Sequence, residues 1–110
     1  MNTTALYLLA INHREQLPFF SPYYGNPASV AKRFLHMQYD KCFDKEYAMQ
    51  FFRANGDVEF ARDYNVVSDY IYTLNHKGSL RASAYLKTGW NVFFEGAWQD
   101  FIDQYDGLGC

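Results

Sequence analysis

At 110 residues, with 49 % hydrophobic and 20 % charged side chains, the chain has the size of one domain and the composition of a globular protein, which excludes a second core and intrinsic disorder. A formal net charge of −2 gives the chain as a whole no electrostatic footprint for nucleic acid or an anionic membrane. The outlying figure is the aromatic share of 20 %, ten Phe, ten Tyr and two Trp, more than a small core absorbs at about 150–250 Å² of burial each. Some of these rings are therefore expected at the surface, where Tyr and Trp favour binding interfaces.

Ala5 to Ile11 is a continuous apolar run whose length suits a strand buried on both faces. No basic residue precedes it, and Asn12-His13-Arg14-Glu15 follows at once, so it does not read as a signal peptide. No stretch approaches the roughly 18 apolar residues of a membrane-spanning helix, and the expected location is the cytoplasm. Residues 15–27 hold Pro18, Pro22 and Pro27 around Phe19-Phe20 and Tyr23-Tyr24-Gly25, and read as an irregular aromatic loop.

Asn26-Pro27 has the form of an N-cap followed by proline at the first helical position. The helix is expected to reach about Lys41, with Ala31, Phe34, Leu35 and Cys42 facing inward. Asp44 caps a second helix carrying Tyr47, Ala48, Phe51 and Phe52, which Asn55-Gly56 should end with a left-handed glycine. Asp57 then caps a third short helix through about Tyr64.

From Val67 the period changes to alternation, Val67, Ile71 and Thr73 against Ser68, Tyr70, Tyr72 and Leu74, which argues strand. Asn75-His76-Lys77-Gly78 turns the chain into Leu80–Lys87, and Thr88-Gly89 turns it again into Trp90–Phe94. After Gly96, Trp98, Phe101, Ile102 and Tyr105 recur at helical spacing until Gly107. The predicted architecture is a single α+β domain over 1–110. It has a small, mostly antiparallel sheet, one N-terminal strand plus a C-terminal three-strand meander, packed with three to four helices.

Chemistry-bearing patterns are sparse. Cys42 and His36 fall on different faces of the first helix, so Cys42 reads as a buried structural thiol, and Cys110 ends the chain after Gly107-Leu108-Gly109. His13, His36 and His76 lack zinc-site spacing, the glycines match no phosphate-loop fingerprint, and no cofactor, metal or catalytic residue is assigned. Asp100 and Asp103 share an exposed helix face, which is not the desolvated pair that acid catalysis requires.

The expectation is a non-enzymatic protein-binding module, a small inhibitor of the immunity or anti-defence type. Phe19, Phe20, Tyr23 and Tyr24 would be its proline-stiffened anchors. Asp100, Asp103 and Asp106, in a C-terminal stretch with no basic residue after Lys87, would steer it to a basic partner surface. Self-association would cover excess aromatics equally well. The alternative is nucleic-acid binding by the hairpin tip, His76, Lys77 and Arg81, with Lys32, Arg33 and Lys41 of the first helix adding charge and Tyr70, Tyr72 and Tyr85 as a stacking platform. Pro22-Tyr23-Tyr24-Gly25-Asn26 ahead of a helix resembles the Tyr-Tyr-Gly segment of barstar-like ribonuclease inhibitors. The remaining chain departs from that family's alternating α/β pattern, and no residue role is carried across.

Overall fold

A computed structural model describes residues 3–37, 43–62 and 68–106. The elements run β1 (Ala5–Ala10), β2 (Gln16–Ser21), α1 (Pro27–Leu35), α2 (Lys45–Ala54), β3 (Glu59–Phe60), β4 (Tyr70–Leu74), β5 (Ser79–Leu86), β6 (Gly89–Ala97) and α3 (Trp98–Tyr105). The α+β class holds, but the sheet is mixed and six-stranded, in the order β3-β2-β1-β4-β5-β6. Its parallel pairing, β1 with β4, lies at the centre, from Ala5 opposite Tyr70 to Leu9 opposite Leu74. The other pairings are antiparallel.

The largest departure from the sequence reading is β2. Leu17, Phe19 and Ser21 point to one face and Pro18 and Phe20 to the other, so strand alternation runs through the supposed aromatic loop. Proline is tolerated there because β3 is short: the Pro18 carbonyl accepts from the Ala61 amide, and ladder pairing begins at Phe19 opposite Phe60. The expected helix after Asp57 is replaced at Glu59–Phe60 by that strand, while Tyr64 and Val67 fall outside the described residues.

α1 starts at Pro27 behind Asn26, as the proline rule requires, although the Asn26 side chain makes no cap hydrogen bond. α2 is capped by the Asp44 carboxylate, which accepts from the Tyr47 amide at 3.3 Å. It ends because Asn55 turns extended, with its side-chain amide donating to the Phe51 carbonyl at 2.8 Å; Gly56 is not left-handed. α1 ends at Leu35 with His36 as its C-cap, short of the expected Lys41; Lys41 itself, Cys42 and Gly107 lie outside the described residues.

The core fills the space between one sheet face and the helices. Tyr7, Leu9, Phe19, Tyr72, Leu74, Leu80 and Ala82 meet Val30, Phe34, Tyr47, Phe51, Phe101 and Ile102. Rings dominate it: Tyr7 stacks on Tyr72 at 5.7 Å and meets Phe51 at 5.0 Å, and Phe101 packs on Tyr105 at 4.8 Å. A bulge in β6 sets Ala82 opposite Phe94 and Ser83 opposite Val92, which leaves Phe93 over. Phe93 and Phe94 both reach Tyr105 of α3 as a result.

The chain crosses from β2 to α1 in a tight passage. The Gly25 amide donates to the Thr3 carbonyl at 2.8 Å, and the buried Tyr72 hydroxyl donates to the Gly25 carbonyl at 2.7 Å. A Cβ on Gly25 would stand 2.7 Å from the Thr4 carbonyl carbon, whereas one on Gly56 would meet nothing within 4 Å. Gly25→Ala should therefore lower stability by about 1–3 kcal/mol through overpacking, and Gly56→Ala should be near neutral. Urea midpoints of the two variants check this, and equal midpoints would refute the close approach.

Candidate functional site

Among the described residues the best-connected side-chain charge is Arg33, on α1. Its side chain is only 8 % exposed. Nη1 donates to Asp57 Oδ1 at 2.9 Å and Nη2 to Asp57 Oδ2 at 2.6 Å, a bidentate pair. Nη2 also reaches the Ser21 hydroxyl at 3.2 Å and the Tyr23 carbonyl at 3.1 Å, and the guanidinium lies 6.0 Å from the Tyr7 ring centroid. The Ser21 hydroxyl, itself fully buried, hydrogen-bonds the same Asp57 carboxylate.

Burial would raise the Asp57 carboxyl, but hydrogen bonds from Arg33 and Ser21 and the Arg33 charge outweigh it and hold the group below the ordinary carboxylate range. Burial likewise pulls Arg33 down, and the Asp57 hydrogen bond reverses this. The Tyr7 hydroxyl is pushed up by burial, with no acceptor or donor among the described residues. This knot ties the end of β2, the middle of α1 and the turn after α2 into one unit.

Beside the knot lies a cleft of about 440 Å³. Ser29, Lys32, Arg33 and His36 of α1 and its C-cap form one wall, Ala54 to Asp57 form the other, and Tyr24 also lines it. Spacings of three and four residues place Ser29, Lys32 and His36 along one side of the helix. Tyr24 takes a left-handed backbone, φ 59°, and its side chain is 63 % exposed.

A second feature follows from register. Ser21 opposite Ala5, Ala5 opposite Tyr70, Tyr70 opposite Ala84 and Ala84 opposite Asn91 all belong to one end of the sheet. Tyr23 and Tyr24 follow Ser21 there, and Tyr85, Leu86 and Trp90 form the β5–β6 turn region with Val92 one step further in. Of the seven large hydrophobic residues most exposed among the described ones, these six gather at this end, with Phe60 on β3 as the exception. Tyr85 and Trp90 pack edge to face at 5.3 Å while remaining 61 % and 46 % exposed.

The opposite end is built of different residues. The β1–β2 turn brings His13 to a ring distance of 6.1 Å from His76, and Lys77 follows in the β4–β5 turn. Gly78, at φ 88°, completes this turn, with the Asn75 carboxamide accepting from the Lys77 and Ser79 amides. Arg81 stands on β5 and pairs with Glu95 at 3.3 Å, so its charge is opposed. α3 starts at this end, where the Trp98 amide donates to the Gly78 carbonyl, and runs back along β6, Phe101 on Phe94 and Tyr105 on Phe93. Its exposed side carries Asp100, Asp103 and Asp106.

The residues singled out in the sequence are thus dispersed. Phe19 is fully buried against Phe51, Phe52 and Phe60, because β2 turns it inward, and it cannot serve as a surface anchor. Phe20 is half-buried on the other sheet face. Tyr23 and Tyr24 are exposed together, with rings 6.4 Å apart. The supposed stacking platform fails: Tyr72 is fully buried on the helix side and Tyr70 half-buried beside it, while Tyr85 points out at the sheet end. Leu86, Trp90 and Val92, exposed near Tyr85, are additions to the residues singled out in the sequence, and the run of apolar residues on both faces of the last strand is their signal. No family model matches the chain, and no curated protein or solved structure is significantly similar to it.

Asp57→Asn removes one partner of a nearly buried charge. The expected loss at pH 7 lies at the lower end of the roughly 3–5 kcal/mol seen for such breaks, since Asp57 keeps some contact with water. The folded carboxyl sits below its unfolded value near 4, so its stabilisation is complete above about pH 5 and fades as pH falls through the folded pKa. Denaturation curves of the native chain and the variant should therefore converge in acid. A gap that stays constant down to about pH 2 would refute the ion pair.

Proposed function

We propose that this chain is a non-enzymatic protein-binding module, a small inhibitor of the immunity or anti-defence type, and that it engages its target with the aromatic end of the sheet. The observation that carries the reading is the gathering of Tyr23, Tyr24, Tyr85, Leu86, Trp90 and Val92 at that end. Six exposed apolar side chains at one pole, in the ring pairs Tyr23–Tyr24 and Tyr85–Trp90 with Leu86 and Val92 near the second, suit an interaction surface, and Trp and Tyr are the residues that dominate binding energy. β6 adds an outer edge with no strand paired to it among the described residues, so main-chain pairing with a target segment is available as well.

Charge points to the chemistry of the target. From Thr88 to Cys110 the sequence holds Glu95, Asp100, Asp103 and Asp106 and no Lys, Arg or His. α3 runs back along β6, which brings its C-terminal Asp106 closest to the aromatic end. A target with a basic rim around an apolar centre fits this arrangement, with the carboxylates speeding encounter and the rings holding the complex. The inhibitor class rests on the small, acidic and aromatic character of the chain. A second reading, nucleic-acid binding, has one observation in its favour: His13, Arg14, His76 and Lys77 share the opposite pole.

The test is capture of a target from lysate of the producing organism on the immobilised chain, followed by affinity measurement with the purified pair. Trp90→Ala and Tyr85→Ala should each weaken that pair by about 30-fold or more, the cost of a hot spot of about 2 kcal/mol, with the circular dichroism spectrum unchanged. Lys77→Ala should leave it intact. Retention of nucleic acid alone, lost with rising salt and abolished by Lys77→Ala, would replace the reading with the second one.

A further inference from the structure

We propose that the cleft between α1 and the turn after α2 binds a small phosphorylated molecule bearing a planar ring, a nucleoside monophosphate in size and chemistry. This site is separate from the protein-binding surface, apart from Tyr24 at the boundary of the two.

The charge balance of the cleft comes first. Of its lining residues, Arg33 and Asp57 neutralise each other through the bidentate pair. Lys32 and His36 remain, one helical turn apart, and neither has an ion-pair partner among the described residues. In a chain whose formal charge is −2, this cleft is locally cationic. Arg33 moreover keeps its buried Nε–H without an acceptor among the described residues. An ammonium and an imidazole side by side, with the Ser29 hydroxyl one turn earlier on the helix, form the donor set that a phosphate monoester satisfies.

Shape and rigidity supply the second argument. About 440 Å³ falls within the range of small-molecule sites, roughly 300–1,000 Å³. Tyr24 lines the cleft and is largely exposed, in a left-handed backbone conformation that residues other than glycine adopt only at a cost. The strain persists because both neighbours are pinned, the Tyr23 carbonyl by Arg33 and the Gly25 carbonyl by the Tyr72 hydroxyl. Strained residues held this firmly gather at ligand sites. An aromatic face beside an ammonium and an imidazole accepts a ring by stacking while the attached phosphate reaches Lys32 and His36.

Amide-resolved NMR titrations at constant ionic strength test the assignment, with adenosine monophosphate, adenosine, inorganic phosphate and acetate as probes. The expected result is a saturable response to adenosine monophosphate confined to residues 24, 29–37 and 54–57, with adenosine and phosphate each at least about fivefold weaker because each keeps only half of the contacts. The Lys32→Ala, His36→Ala double variant should lose about tenfold or more in affinity with the remaining spectrum unchanged. Tyr24→Ala should bring adenosine monophosphate down to the level of inorganic phosphate. Absence of saturation, unaltered binding by the double variant, or acetate binding as tightly as the nucleotide would each overturn the proposal. Lys32 and His36 take no part in the protein-binding surface, so either reading can fail while the other stands.

Discussion

A guanidinium ion withdrawn from water has to be matched, and in this molecule the matching of Arg33 fixes the geometry of everything around it. An unmatched buried charge costs several kcal/mol, so Asp57, Ser21 and the Tyr23 carbonyl converge on it from chain segments that are distant in sequence. The convergence sets where β2 stops, how α1 lies across the sheet and how the chain turns after α2. It also leaves the cleft its shape, since both walls are attached to the same ion pair. Tyr7 contributes from below, its ring facing the guanidinium and its hydroxyl buried beside the core.

The sheet divides the molecule into two chemically distinct poles. At one, strand ends carry tyrosines, tryptophan and aliphatic side chains into solvent; at the other, turns carry histidines and a lysine. The separation arises from hairpin geometry: strands paired in register place alternate connections at alternate ends, so the composition of each turn becomes the composition of a pole. α3 then lays an acidic stripe along the flank between them. Such a distribution gives an otherwise weakly charged chain a direction, which is what orientation of an encounter requires.

Much of the fold was legible. Periodicity located β1, the β4–β5–β6 meander and all three helices, and Asp44, Pro27 and Gly78 acted as their chemistry dictates. β2 was hidden because Pro18 within it and Pro22 just beyond it outweigh its alternation, and proline is a breaker only where an amide is needed by a neighbour. β3 is two residues long and carries no period at all. The parallel pairing at the centre has no local signature, and neither has the Arg33–Asp57 contact, which spans 24 positions. The candidate site was accordingly visible only in pieces: Tyr23 and Tyr24 from composition, Lys32 as a basic helix residue of the nucleic-acid alternative, and His36 as a histidine without zinc-site spacing. The burial of Phe19 followed from the missed strand.

The central parallel pair also dictates the order in which this chain can become a protein. Thr4 and Asp69, which exchange hydrogen bonds beside that pair, are 65 positions apart. The β1–β2 hairpin and the C-terminal meander are each local and can form on their own account, but the sheet cannot close until β4 has been synthesised and delivered to β1. During synthesis the first strand, apolar on both faces, must therefore wait through the making of two helices with its second edge bare. On the ribosome this is a period of vulnerability, when β1 is open to pairing with the wrong strand.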